Sequence, residues 1–312
     1  MIAPDFESQF YRENLIPFIV EKLGKTPVDF SETMASVIKS RKSNEPFRAA
    51  GVLLLLQMKK NPVLSAEQNS EFSFLLIKRS PKVSQPGDLS CPGGMLNPVI
   101  DPLLRPLIAG RIFPVLAGKA REYARRRDTN TYRIMTLLLA SAVRETWEET
   151  NLCPSKIVFL GPLPTYSLRL FNRAIFPLTG LVKEPWTFRP NSEVDRIVEI
   201  PLAKFFQKDN YGLYQIELSN AFAADRHHSR TFPCLIYRDD KGHEDILWGA
   251  TFYIIMNFLD IVFEFKFIVS HPLVSSEIFT VFIKVTGVII KTDIRLFNFW
   301  GKYYFSGKII NF

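Results

Sequence analysis

The run Ala49 to Met58 (AAGVLLLLQM) is apolar at almost every position. A strand with one wet face alternates apolar and polar residues, and a surface helix keeps a polar side. A short continuous run instead suits a strand covered on both faces. Such a strand needs partners in its sheet and packed elements above and below, which points to a layered α/β fold. Phe72 to Arg79 (FSFLLIKR) reads as the next strand, and the polar stretch Lys59 to Ser70 as its connector. Together they predict a hairpin with a long loop.

The chain then leaves regular structure. Ser80 to Leu96 (SPKVSQPGDLSCPGGML) holds three prolines and three glycines, so it reads as a structured loop. Gly93 and Gly94 allow its backbone to approach another group closely. Asn97 to Arg133 carries four prolines and the basic run Arg121 to Arg127, and reads as an insertion with short helical pieces. From Tyr132 the pattern is helical: Ile134, Leu137, Leu138, Ala142 and Val143, then the acidic end RETWEET. Further strands are expected at Ile157–Leu163, Ala174–Val182 and Glu193–Ile200, and a short helix at Pro201–Phe206. A longer helix is expected over Asp245–Phe265, with Trp248 and Gly249 in its first turn.

Residues 1–45 read as an amphipathic helical arm, in which Gly24 and Pro27 end a helix bearing Phe18, Ile19 and Leu23. Lys266 to Phe312 has β-like patches (FTVFIKVTGVII). An extra hairpin, a membrane-surface patch and a poorly ordered tail all fit it. The domain reading is a helical arm over 1–45, a central domain over 46–265 with its insertion at about 97–133, and a C-terminal extension over 266–312.

The chemistry concentrates in Arg144-Glu-Thr-Trp-Glu-Glu-Thr-Asn-Leu152. On a helix Glu145, Glu148 and Glu149 gather on one side, because positions three and four apart share a face. Crowded carboxylates repel unless a cation sits among them. Hard oxygen ligands favour Mg²⁺ or Mn²⁺ over zinc. Arg144 stands four positions before Glu148 and can hold a carboxylate by a forked hydrogen bond. The bland alternative is a solvated helix end; the apolar helix before the motif and the Pro-Gly-Gly loop upstream argue against it.

These residues resemble the Nudix hydrolase family. Gly94 matches the opening glycine of that family's box, and Arg144, Glu145, Glu148, Glu149 and Leu152 match its second half. Thr146 replaces an aliphatic residue, and Asn151 replaces a glycine. Asn is the best substitute for glycine in a left-handed conformation, so the turn can survive. Gly94 and Arg144 lie 50 positions apart, where the resemblance implies about 14, so roughly 36 residues are inserted in the box. The early acidic residue of the box has no match near Thr136.

A narrower resemblance precedes the box. Leu75 to Gly94 is similar to the signature of the coenzyme A diphosphatase branch, with Arg79, Ser80, Gly87, Pro92, Gly93 and Gly94 in line. Ser84 and Cys91 depart from it, and Leu247 to Thr251 is similar to that branch's C-terminal end. The resemblance implies a Nudix-type α/β/α sandwich with a mixed sheet, and metal-dependent cleavage of a diphosphate linkage. It implies Mg²⁺ or Mn²⁺ on Glu145, Glu148 and Glu149, with Arg144, Glu145 and Glu148 catalytic. Arg79, Gly93 and Gly94 would face the substrate. Coenzyme A or acyl-coenzyme A is the implied substrate, giving 3′,5′-ADP and 4′-phosphopantetheine. ADP-ribose, a dinucleotide or a nucleoside triphosphate, and a binding module without turnover, are the alternatives.

Other features weigh less. Lys and Arg total 39 against 31 Asp and Glu, a net charge of +8 that favours anionic partners. Arg121, Arg125, Arg126 and Arg127 could meet a substrate 3′-phosphate or anionic lipid, although a solvated helix face is the commoner role of such a run. His227, His228, His243 and Glu244 read as loop residues, and Glu193 as a supporting carboxylate near the site. Cys91 reads as a packing residue. Three cysteines without paired spacing suit a reducing compartment, the cytoplasm. No signal peptide and no spanning helix are expected. No nucleic-acid module is recognised. A homodimer is the assembly considered.

Overall fold

The computed structural model describes residues 15–60, 70–110, 112–168, 171–183, 186–217, 229–270, 278–285, 288–295 and 307–310. His227 and His228 lie outside the described residues. The chain divides into two compact units, Met1–Ala203 and Lys204–Phe312.

The first unit is a mixed α/β structure, as the patterning predicts. Its sheet is built around β1 (Arg48–Lys60). The strands β2 (Ser70–Arg79), β3 (Leu89–Ser90), β4 (Gly93–Met95), β5 (Ile157–Pro162), β6 (Tyr166–Leu168), β7 (Arg173–Val182) and β8 (Val194–Pro201) complete it. The path runs β3-β2-β1-β7-β5, with β4 on β1, β6 on β7 and β8 on β2. β1 is therefore interior. It pairs antiparallel with β2 and β4, and parallel with β7. Leu53 to Leu56 are buried without alternation, which is what the apolar run requires.

Among the described residues, five α-helices belong to this unit: α1 (Leu15–Lys25), α2 (Phe30–Ser40), α3 (Ile100–Ala109), α4 (Gly118–Arg125) and α5 (Thr129–Thr150). The insertion supplies α3 and α4. α5 starts at Asp128, whose side chain accepts the Thr131 N–H at 2.9 Å, satisfying one of the donors a helix start leaves open. α5 lies directly on β1: a Cβ added at Gly51 would sit 2.5 Å from the Leu138 carbonyl oxygen. α2 adds Phe30, which meets Phe176 of β7 edge-on at 5.1 Å.

One residue of the basic run, Arg127, is a brace. The Arg127 guanidinium donates to the carbonyls of Leu23, Gly24 and Thr26 at 3.1, 3.2 and 2.9 Å, satisfying the open end of α1. Tyr123 fills the space beside Gly24.

In the second unit, β9 (Tyr211–Glu217), β10 (Ser229–Arg238), β11 (Glu244–Trp248) and β15 (Gly307–Ile310) form a sheet in the order β11-β10-β9-β15. The helix expected from Asp245 begins later: α6 is Gly249–Phe263. Asp245 to Trp248 pair with β10 instead, and alternate buried and half-buried as a strand does. Gly249, at φ 66°, makes the change of direction. His243 and Glu244 close the β10–β11 hairpin, His243 on Asp239 at 2.9 Å and Glu244 on Arg238 at 2.8 Å. The C-terminal stretch forms β12 (Lys266–Ser270), β13 (Ile278–Val285) and β14 (Val288–Arg295), an antiparallel set. No helix among the described residues is long and apolar enough to cross a membrane.

Candidate active site

Three backbone features bring the loop, strand and helix together. β4 pairs with β1 so that Gly94 faces Gly51 and Gly93 faces Val52. Gly93 has φ 140°, and a Cβ there would lie 2.4 Å from the Gly51 carbonyl oxygen. At Gly94 a Cβ would lie 2.5 Å from the Glu145 carboxyl carbon. The two glycines thus do different work: Gly93 lets two backbones meet, and Gly94 makes room for a carboxylate. Gly94→Ala is expected to displace the flexible end of Glu145, lowering activity with little change in stability. Gly93→Ala, strained in φ and pressed against fixed backbone, is expected to cost roughly 2–4 kcal/mol in urea unfolding.

α5 delivers the acidic residues and ends at Asn151, which has φ 61° and ψ 21° and returns its N–H to the Trp147 carbonyl at 2.8 Å. The left-handed turn survives the loss of glycine. Thr146, where an aliphatic residue was expected, is fully buried and directs its hydroxyl to the Ala142 carbonyl at 2.7 Å. Its polar atom is satisfied within the helix.

Glu149 is 6% exposed and accepts the Gly93 N–H at 3.0 Å. Burial raises its pKa above the ordinary 4.5 to about 8; the Gly93 hydrogen bond opposes this, Glu145 and Glu193 add to it, and Arg79 opposes it. Glu145 is raised too, first by burial and then by Glu148 and Asp101, against the pull of Arg144. Asn191 donates its N–H to the Glu149 carbonyl at 3.3 Å, tying the segment that carries Glu193 to the end of α5. Arg79, at the end of β2, is anchored by its Nε to the Ser84 carbonyl at 2.9 Å. The departure from the signature at Ser84 therefore keeps a backbone role.

Arg144 is the organising cation. Its Nε donates to Asp101 at 2.7 Å, and one terminal nitrogen reaches Glu145 at 2.9 Å and Glu148 at 3.2 Å. The side chain is 11% exposed and that of Asp101 0%. Burial works against the charge, but the Asp101 hydrogen bond and the fields of Glu145 and Asp101 outweigh it, leaving the Arg144 pKa above its ordinary value. Glu148 is half-exposed and engaged with Arg144, while Glu145 and Glu149 lie toward Gly93 and Gly94.

Asp101 is the partner of Arg144 that sequence reasoning missed. It accepts the Asn97 N–H at 2.7 Å, while Asn97 Oδ1 takes the N–H groups of Val99 and Ile100, fixing the start of α3. Counting back from Arg144 leads to Thr136, whose hydroxyl bonds to Tyr132 and which offers no carboxylate. Counting forward from Gly94 reaches Asp101 in seven positions. The signal was present, near the start of the inserted stretch.

Cys91 is buried, and burial pushes its thiol up to about 12, so it is a packing residue rather than a nucleophile.

Among the described residues, no three carboxylates, imidazoles or thiols converge as a ready cage for a metal. A divalent cation of the Mg²⁺ type keeps several waters and takes one or two carboxylates, a demand that Glu145 and Glu149 meet. The pKa of both is raised, first by burial and then by neighbouring carboxylates.

No family model and no curated protein matches the chain. Solved structures similar to parts of it include a Caenorhabditis elegans Ap4A hydrolase in a binary complex, 15% identical, covering 49% of this chain and 80% of that one at TM-score 0.30. A NUDIX hydrolase from Alicyclobacillus acidocaldarius is 15% identical, covering 52% and 82% at TM-score 0.33. The NUDIX domain of Shewanella oneidensis NrtR complexed with ADP ribose is 14% identical, covering 56% and 85% at TM-score 0.30.

Proposed function

We propose that the chain is a Mg²⁺- or Mn²⁺-dependent Nudix hydrolase that cleaves the diphosphate linkage of coenzyme A or acyl-coenzyme A. The observation that carries this reading is Glu149. It is a buried carboxylate held on the Gly93 N–H, among other carboxylates and within the field of Arg79. A group so placed destabilises the fold when ionised, and such perturbed groups cluster at functional sites. The signature Arg79-Ser80 to Pro92-Gly93-Gly94 supports the narrower substrate.

Glu145 and Glu149 hold the metal in this reading, and Glu148 completes the set from the Arg144 side. The cation would supply charge neutralisation on the diphosphate and acidify a water. Arg144, locked by Asp101, orients Glu145 and Glu148. Arg79 and the open backbone at Gly93 and Gly94 receive phosphate oxygens. Glu193, whose field reaches Glu149, is the later-loop carboxylate that would take the water's proton in this reading. In-line attack by water on the diphosphate then releases 3′,5′-ADP and 4′-phosphopantetheine.

Incubation with coenzyme A, with and without Mg²⁺ or Mn²⁺, followed by mass analysis, tests this. Metal-dependent appearance of 4′-phosphopantetheine is expected. Cleavage of ADP-ribose, a dinucleotide or a nucleoside triphosphate but not of coenzyme A would retain the class and discard the substrate. Ligand binding without cleavage of any of these would indicate a binding module.

A further inference from the structure

Beyond the carboxylates lies a second charged group of opposite sign. β1 and β7 run parallel, and their register sets Arg48 directly beside Arg173. Paired neighbours in a ladder share a face, so the two guanidinium groups leave the sheet together. Gly51 turns its Cβ position to Leu138 of α5; Arg48, three positions earlier, therefore leaves by the opposite face. Both arginines are exposed, and neither has a side-chain hydrogen bond or ion pair among the described residues. The nearby Glu45 is engaged by Asn172 at 3.2 Å. Arg79, at the end of β2, has its Nε on the Ser84 carbonyl and its terminal nitrogens unpaired among the described residues.

Arg173 feels both of the other charges. Burial, then Arg79, then Arg48 depress the Arg173 pKa below its ordinary value. Arg79 also acts on Glu149. The field of Arg79 thus reaches both Glu149 and Arg173. A guanidinium does not shed its proton at physiological pH, so repulsion within such a group is relieved by an anion. The basic run Arg121 to Arg127 is different: Arg127 is spent on the end of α1, and Arg126 lies over the Tyr123 ring.

We propose that Arg48 and Arg173 form a subsite for a phosphate monoester on the nucleotide, apart from the diphosphate that Arg79 receives. The subsite selects nucleotides with an additional phosphate on the ribose. It rests on the diphosphatase reading only for the rest of the bound molecule. Forked contacts from paired arginines suit the three oxygens of a phosphate monoester.

The test is equilibrium binding to the full chain, which needs no turnover. 3′,5′-ADP is expected to bind at least roughly tenfold more tightly than 5′-AMP. In the Arg48→Gln/Arg173→Gln protein that preference is expected to fall to within about twofold. The single Arg48→Gln protein, with an unchanged thermal midpoint as its fold control, should show an intermediate ratio. Equal binding of the two nucleotides to the parent chain, or a preference that survives the double substitution, would overturn the subsite. Preference lost with the arginines in a chain that does not cleave coenzyme A would keep the subsite and remove the diphosphatase reading. Equal cleavage of coenzyme A and its 3′-dephospho form, without binding preference, would do the reverse.

Discussion

Glu149→Gln is expected to abolish turnover, by roughly 1,000-fold or more, while making the metal-free protein more stable at alkaline pH. The two effects have one origin. The carboxyl carries a pKa of about 8 in the folded chain against an ordinary 4.5. Below pH 4.5 both states hold the proton, and the group contributes no pH dependence. Between 4.5 and 8 the unfolded chain has lost it and the folded chain keeps it, so stability falls as pH rises. Above 8 both are ionised and the full penalty, on the order of 3–5 kcal/mol, is present. Gln keeps an oxygen for the Gly93 N–H and removes the charge. Thermal unfolding from about pH 4 to 9 without metal should show the parent falling more steeply than the variant. Mg²⁺ should raise the midpoint of the parent at about pH 8 and leave the variant nearly unmoved. Parallel profiles would contradict the assigned environment of Glu149, and an unchanged rate of coenzyme A cleavage would sink the metal assignment.

The second large effect is expected at Asp101. Asp101→Ala removes the fully buried acceptor of the Arg144 Nε and of the Asn97 N–H. Breaking a buried pair from one side leaves an uncompensated charge, and a loss of about 3–5 kcal/mol is expected in urea unfolding. Freed of Asp101, Arg144 no longer fixes Glu145, so turnover should drop roughly 10- to 100-fold in the fraction that remains folded. Asp101→Asn, which keeps the shape and one acceptor oxygen, should recover part of both. Full activity in Asp101→Ala would show that Arg144 needs no such lock.

Much of this arrangement was legible before the fold was seen. Leu53 to Leu56 announced an interior strand because covering both faces removes alternation. Gly93 and Gly94 announced a close approach, although residue type alone could not say that one meets backbone and the other a carboxylate. The glutamates and Arg144 were readable from helical spacing. Asp101 was not read, because it stands in the inserted stretch and meets Arg144, 43 positions on, only through the fold. Arg127 was not either: its partners are carbonyls near Gly24, and a carbonyl has no residue identity to read. The start of α6 was misplaced because Asp245 to Trp248 is short and apolar enough to suit helix or strand, and pairing with β10 decides between them. The pairing of Arg48 with Arg173 depends on the register of a parallel ladder, which sequence spacing does not set.

The distance along the chain between Gly94 and Arg144 has a thermodynamic meaning of its own. Lengthening a closed loop from about 14 to about 50 residues costs only on the order of 1 kcal/mol of chain entropy. Such a toll is small beside the apolar groups the inserted segment buries, Ile108, Ala120 and Ala124 among them. Between Asp101 and Arg144 the excursion starts and ends on one ion pair, so its length is free to change without stretching the site.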